Sequence, residues 1–424
     1  MTADELIISH SVKVNRGSGV LIGALSSEFT YVLTAHHVID GPITVSRNGQ
    51  EINVIGAPYH HQNYDCSIIK VEYQSDIFQR VWNRELSSGS RISFVGYPRS
   101  NVKSDSPYKI YSGISNNHAH QTIVCNLDNS PNQESIEGMS GGGVYYIEDG
   151  LPYLWAVECR MDDEDASARY GRVRCVALTC FDQIIEANQL IPIAPFFMQC
   201  FSNLRSDIFH FEAARPENVE KLRQKLDEQA EWLIEHAMPT PYDLMVRYKR
   251  ELLLNNSEPD STVLDRSLWI AYLEFVVISS ILDQKYVIDG QYLEELDRKR
   301  RFLYSSSNGN WLCQLSDIFK VARSMLDVNG AILINSPQEN AVGLPDPEDI
   351  DDIIDDIASS PKFRDLNRID STHIDVMKSY SVAHLKGLRN SLILAKHREY
   401  GRSTPSQQLS ILKAFYDQAI KERS

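Results

Sequence analysis

The chain has 424 residues, 42% hydrophobic and 23% charged, a balance that excludes a disordered or fibrous protein and predicts two domains. Its net charge of -15 repels phosphate backbones, so no direct nucleic-acid partner is expected. Seven cysteines without framework spacing are expected to remain thiols in a reducing cytoplasm, and the opening Met1-Thr-Ala-Asp-Glu lacks a secretory signal.

Taken in chain order, the first elements are short β-runs: Gly17–Gly23, Phe29–Leu33, Cys66–Val71, Ile92–Pro98, Gly143–Ile147 and Leu154–Cys159. Clusters of Gly, Asn, Ser, Asp and Pro separate them, the pattern of an antiparallel barrel or sandwich. We assign residues 1–195 to this all-β domain and 196–215 to a linker. Beyond it the period changes. Val219, Leu222, Leu226, Ala230, Leu233 and Ala237 recur at steps of three and four and predict an amphipathic helix. Leu268–Leu282 is apolar but for Glu274, too short for the ~20 residues of a membrane span, and reads as a buried helix of a soluble protein. The acidic stretch Glu348–Ala358 and Gln407–Ile420 also read as helix, with Asn335–Asp349 an exposed loop that divides the helical half. Residues 216–424 are therefore expected to be mainly α, a regulatory or docking domain. No Walker-type loop is present.

Three segments carry chemistry. In Thr34-Ala-His-His-Val-Ile-Asp40 two adjacent histidines follow an apolar run. In Glu137-Gly-Met-Ser-Gly-Gly-Gly143 a serine is held among glycines, which let successive N–H groups converge on one oxygen. Asp65, in Asn63-Tyr-Asp-Cys-Ser67, precedes an apolar strand and is placed to orient an imidazole.

His, Asp and Ser in this order, with Gly17-Ser-Gly-Val-Leu-Ile22 leading into the histidine, resemble the chymotrypsin-like (trypsin-like) serine peptidases of bacterial type over roughly the first 190 residues. The resemblance implies a trypsin-like double β-barrel, a catalytic triad of His37, Asp65 and Ser140, and an oxyanion hole at the Gly138 and Ser140 N–H groups. His36 then occupies a position without a catalytic role. It further implies a substrate-binding role for Glu134, six residues before the nucleophile, and for Cys159 and Arg160. Met139 stands where the digestive enzymes carry the Asp of their zymogen switch, so that switch is not expected. Gly138-Met-Ser-Gly-Gly142 also fits the nucleophile elbow of α/β-hydrolases, but those need Ser before Asp before His. A peptidase fold that has lost activity and serves as a binding or scaffold module is the alternative.

The layout of a peptidase domain followed by a helical domain resembles the effector subunits of prokaryotic three-component defence systems (ABC-three-component, Lamassu-type). That resemblance implies a cytoplasmic serine endopeptidase acting as a regulated antiphage effector. Its partners would be a protein substrate and, through the helical domain, an SMC-like ATPase and a middle subunit. No cofactor and no metal are expected: His60-His61 and His118-Ala-His120 lack a third ligand at a familiar spacing. Cys175 and Cys180 are expected to be buried thiols in a closing strand. Arg298-Lys-Arg-Arg301 is expected on a charged helix exterior, and the acids of Asp349–Asp356 on a solvated helix face.

Overall fold

The structure, a computed structural model, describes residues 2–82, 84–101, 106–119, 121–161, 171–236, 238–254, 258–307, 311–315, 318–319, 325–337, 352 and 378–421. The chain divides into two compact units, Met1–Phe196 and Phe197–Ser424.

The first unit holds two antiparallel sheets. Strands β1 (Ser11–Val14), β2 (Gly17–Gly23), β3 (Phe29–Thr34), β4 (Val45–Arg47), β5 (Gln50–Ile52), β6 (Tyr59–His60) and β7 (Ser67–Glu72) form a half-barrel in the order β5-β4-β1-β2-β3-β7-β6. Strands β8 (Arg91–Gly96), β9 (Lys109–Ala119), β10 (Thr122–Leu127), β11 (Gly143–Glu148), β12 (Leu151–Met161) and β13 (Arg172–Ala177) close into a barrel. β3 is buried along its whole length, with Phe29, Tyr31 and Leu33 on one face and Thr30, Val32 and Thr34 on the other. Three core clusters result: Val12, Val14, Val32, Ile69 and Val71 fill the half-barrel, Phe94, Ile123, Val144, Trp155 and Val173 fill the closed one, and Tyr31, Leu33, Val95, Tyr145 and Phe181 belong to a third drawn from both sheets and the helix after β13. Helix α1 (Ala3–Ser9) is fixed at its start by reciprocal Thr2 and Glu5 hydrogen bonds. Helix α2 (Gln133–Ile136) is a single turn capped by Asn132, and α3 (Leu178–Ala187) follows β13. Cys180 therefore lies in a helix, not in the closing strand; its thiol packs against that of Cys66, and Cys175 in β13 packs against Cys125. All four are buried and free.

In the second unit the expected helices appear as α4 (Glu220–Glu235), with Leu222, Leu226, Ala230 and Leu233 buried, and α6 (Arg266–Asp283), with α5 (Pro241–Tyr248) between them. Glu274 of α6 is buried. Burial raises its carboxyl, an effect opposed by Arg389 at 3.7 Å and by the Phe209 N–H, which donates to it at 2.6 Å. α7 (Gly290–Lys299) and a last helix, Pro405–Lys421, complete the helical frame. Three features differ from expectation. Residues 196–215 are no solvated linker: Phe197, Met198, Phe201, Leu204, Ile208 and Phe209 are buried, most of them in the second unit's packing. A parallel sheet of β14 (Arg300–Tyr304), β15 (Ala331–Asn335) and β16 (Ser381–His384) is also present. The basic cluster divides: Arg298 and Lys299 are exposed in the last turn of α7, as expected, but the next two arginines are not on a helix exterior. Arg300 pairs with Asp283 at 2.7 Å and Arg301, 3% exposed, with Glu251 at 3.1 Å, as the chain passes from α7 into β14. Most of Asn335–Asp349 and of the acidic stretch Glu348–Ala358 lies outside the described residues. Among the described residues no helix is long and apolar enough to cross a membrane.

Candidate active site

After β3 the chain tightens into a turn of 3-10 helix, His36–Ile39. The turn sends the two imidazoles different ways. His36 Nδ1 lies 3.2 Å from Ser67 Oγ and its ring centroid is 4.7 Å from that of His60. His37 faces a cleft of about 960 Å³, together with Ser140, Gly138, Glu158, Arg99 and Arg160.

Asp65 sits one turn before β7. That turn is held by His61, whose Nδ1 accepts the N–H groups of Asn63 (3.0 Å) and Tyr64 (3.2 Å) while its Nε2 meets Gln183 Oε1 at 2.8 Å. His60 and His61 are thus packing and turn residues; among the described residues no cluster of three metal-ligating side chains occurs. The Asp65 carboxylate grips the histidine twice, accepting the His37 backbone N–H at Oδ1 (3.0 Å) and meeting Nδ1 at Oδ2 (2.7 Å). Burial pushes this carboxyl up, but hydrogen bonds from the His37 side chain and from the His37 and His36 backbone outweigh it and hold Asp65 below its ordinary range. The pair fixes the imidazole with Nε2 as the atom left for proton transfer.

Ser140 occupies the loop between α2 and β11. Gly138 and Gly141 have φ of +95° and +92°, and a Cβ on Gly141 would stand 2.0 Å from the Ser18 carbonyl oxygen, so only glycine suits this turn. Met139 between them is fully buried in the closed-barrel core, and a thioether there offers no charge to an incoming ammonium. Its N–H is bound to Ile136 O at 2.9 Å, whereas among the described residues no backbone acceptor takes the Gly138 or Ser140 N–H.

Two residues that sequence reasoning missed hold this loop. Ser18, buried in β2, donates through Oγ to Gly138 O (2.9 Å) and accepts the Tyr97 N–H (2.8 Å), while its backbone N–H donates to Ser140 O (2.8 Å). It ties the half-barrel to the serine loop of the closed barrel; Gly17-Ser-Gly was noted, but not this serine. The second is Glu158 in β12. It is 2% exposed, its backbone pairs with Gly141 and Gly142 beside Ser140, and burial together with the charge of Asp65, opposed by Ser140, raises its carboxyl to about 8. Strand alternation in Trp155-Ala-Val-Glu-Cys-Arg160 gave no sign of it.

The substrate-binding set divides. Arg160 lines the cleft. Cys159 is turned inward, its thiol 3.2 Å from Arg174 O. Glu134 is exposed in the first turn of α2 and does not line the cleft, because Asn132 caps a helical turn there; Glu137, paired with Arg99, lies on the wall instead. His118 lies in β9 and His120 is outside the described residues.

A half-barrel and a closed barrel, with a histidine–aspartate pair from one and a glycine-bound serine from the other on a single cleft, define the trypsin-like double β-barrel class. The chain belongs to the family of C-terminal domain 4 of the ABC-three component (ABC-3C) systems, whose model matches residues 175–394, from β13 through the second unit. That membership places it in a multi-component system. Solved structures similar to it include kallikrein-related peptidase 10, at 13% identity and TM-score 0.35 over 43% of this chain and 97% of that one. The inactive form of Rv3671c from M. tuberculosis H37Rv matches at 13% and 0.35 over 45% and 93%. Neuropsin, a serine protease expressed in the limbic system of mouse brain, matches at 14% and 0.34 over 43% and 96%. Likeness at this level says nothing about substrate or activity. No curated protein matches the sequence.

Proposed function

We propose that the chain is a serine endopeptidase that acts as the regulated effector of an ABC-three-component defence system in the cytoplasm. The observation that carries this reading is the doubly bonded His37–Asp65 pair opening on the same cleft as Ser140. Ser140 Oγ attacks the scissile carbonyl as its proton passes to His37 Nε2. The oxyanion is held by the Gly138 and Ser140 N–H groups, the amine leaves with the proton from His37, and water repeats the sequence on the acyl-enzyme. Asp65 keeps the tautomer and stabilises the imidazolium. The second unit shows no recognisable chemistry among the described residues and serves as the docking domain, for an SMC-like ATPase and a middle subunit. The buried thioether of Met139 supports control by partners in place of an N-terminal cut.

A fluorophosphonate probe tests the reading. Wild-type protein should be labelled at Ser140, and Ser140→Ala should not be labelled at all. A wild-type protein that stays unlabelled in its activated complex sinks the peptidase reading and leaves a binding module on a peptidase fold.

A further inference from the structure

The triad accounts for His37, Asp65 and Ser140, but the back wall of the cleft holds a buried carboxyl that the reaction does not use. Glu158 is 2% exposed, and among the described residues its Oε2 has no hydrogen-bond partner. Its backbone is locked beside the serine loop: Glu158 N–H donates to Gly142 O at 2.9 Å, and Gly141 N–H donates to Glu158 O at 2.8 Å. The Glu158 backbone cannot drift from the serine loop without breaking the join of β12 to it.

A carboxyl in this place has two hydrogen-bonding states. Protonated, it can donate to Ser140 Oγ and leave the serine's own hydrogen for His37. Ionised, it only accepts, and a charged acceptor in a dry pocket holds the serine hydrogen more strongly than a neutral imidazole does. We propose that Glu158 is a positioning residue for Ser140, releasing the hydroxyl to His37 when protonated and withholding it when ionised. The proposal rests on Ser140 being the nucleophile.

The surroundings favour the protonated state. Asp65 opposes a second negative charge nearby, and burial opposes it more strongly. The thiols of Cys159 and Cys175 flank Glu158 on β12 and β13, with Arg160 and Arg174 beside them. Across the cleft stand His37, Arg16, Asp40, Arg99 and Glu137. With Glu158 raised to about 8, the serine is released at neutral pH and withdrawn above it. A cation brought to the orphaned Oε2 by a partner or a substrate would withdraw it at neutral pH as well.

The test uses the full chain and the rate of fluorophosphonate labelling across pH. Wild type should show an alkaline fall of about tenfold per pH unit once Glu158 ionises. Glu158→Gln, whose amide donates but cannot ionise, should lose the alkaline fall, with circular dichroism confirming an intact fold at each pH. A wild-type rate that stays level above the Glu158 titration, or a Glu158→Gln profile that falls like wild type, overturns the proposal. Isotope-edited infrared of the Glu158 carboxyl supplies a readout free of activity. Ser140→Ala removes a hydrogen bond that favours the ionised form and should shift the Glu158 titration upward; an unchanged titration overturns the contact by itself. Absence of labelling in wild type at every pH, in the activated complex as well as in the chain alone, overturns the peptidase reading, and with it any control of a nucleophile.

Discussion

At the scale of single residues, two neighbouring histidines have unlike surroundings. His37 is held at both its backbone and its Nδ1 by one carboxylate, whereas His36 contacts Ser67 and His60 away from the cleft. His37→Ala should therefore slow labelling of Ser140 by at least about 10³-fold, the scale on which losing a general base acts. His36→Ala should change it less than about threefold, since it removes one hydrogen bond outside the cleft. The reverse ranking, read from pseudo-first-order labelling rates, would show that the register of the motif is wrong. Why the two could be told apart in the sequence, and Glu158 could not, has a physical reason. The residues around His37, Asp65 and Ser140 form local turns, so their neighbours in sequence are their neighbours in space. Glu158 meets Ser140 only because β12 pairs with β11 and returns past the serine loop. In its own strand it is one polar residue among apolar ones, which a period-two pattern cannot distinguish from a solvent-facing acid. Glu134 failed for the converse reason: a count of residues back from the serine assumes a loop conformation, and the Asn132 cap winds that loop into α2.

Among elements, the join between β2 and the serine loop carries the most consequence for the cleft. Ser18 Oγ serves one donor and one acceptor at once, and the Tyr97 N–H that it accepts is buried with it. Ser18→Ala leaves that N–H without its partner, at a cost of about 1–3 kcal/mol. It also frees Gly138 O, so the residue whose N–H would serve as an oxyanion donor loses one of its anchors. Urea unfolding should show the lower midpoint, and the labelling rate of Ser140 should fall by more than about tenfold if that donor acts on the transition state. A variant destabilised to this extent but labelled at the wild-type rate would make Ser18 a purely structural tie. The second unit shows the limit of reading elements from sequence. α4 and α6 were legible because long runs display their period. The strands of the parallel sheet were not: Arg300–Tyr304, Ala331–Asn335 and Ser381–His384 are four or five residues each, and their partners lie tens of residues apart. Arg301 looked like helix exterior because its charge is visible in the sequence and its burial against Glu251 and Asp297 is not.

For the whole molecule, each unit has a core of its own. The half-barrel and closed barrel bury one set of side chains, and Leu254, Leu303, Phe319, Ile332 and Val382 form part of another in the second unit. Separate cores allow separate duties. Every candidate catalytic residue lies before Phe196, while the family match covers residues 175–394 and so lies mostly in the second unit. Ser140→Ala removes one oxygen from a site whose shape is set by Gly138, Gly141 and Ser18, and it should copurify with the same partners as wild type in the native host. A chain ended after Phe196 should do the opposite, reacting with the probe at Ser140 but leaving the complex. The cut belongs there and not near Arg215, because Phe197, Phe201 and Leu204 are buried in the second unit and would be left exposed on a longer fragment. Labelled fractions and partner stoichiometry, measured on the same preparations, check both halves of the expectation. If Ser140→Ala sheds its partners, or the first unit alone retains them, the peptidase surface itself is the docking site and the division of labour between the units does not hold.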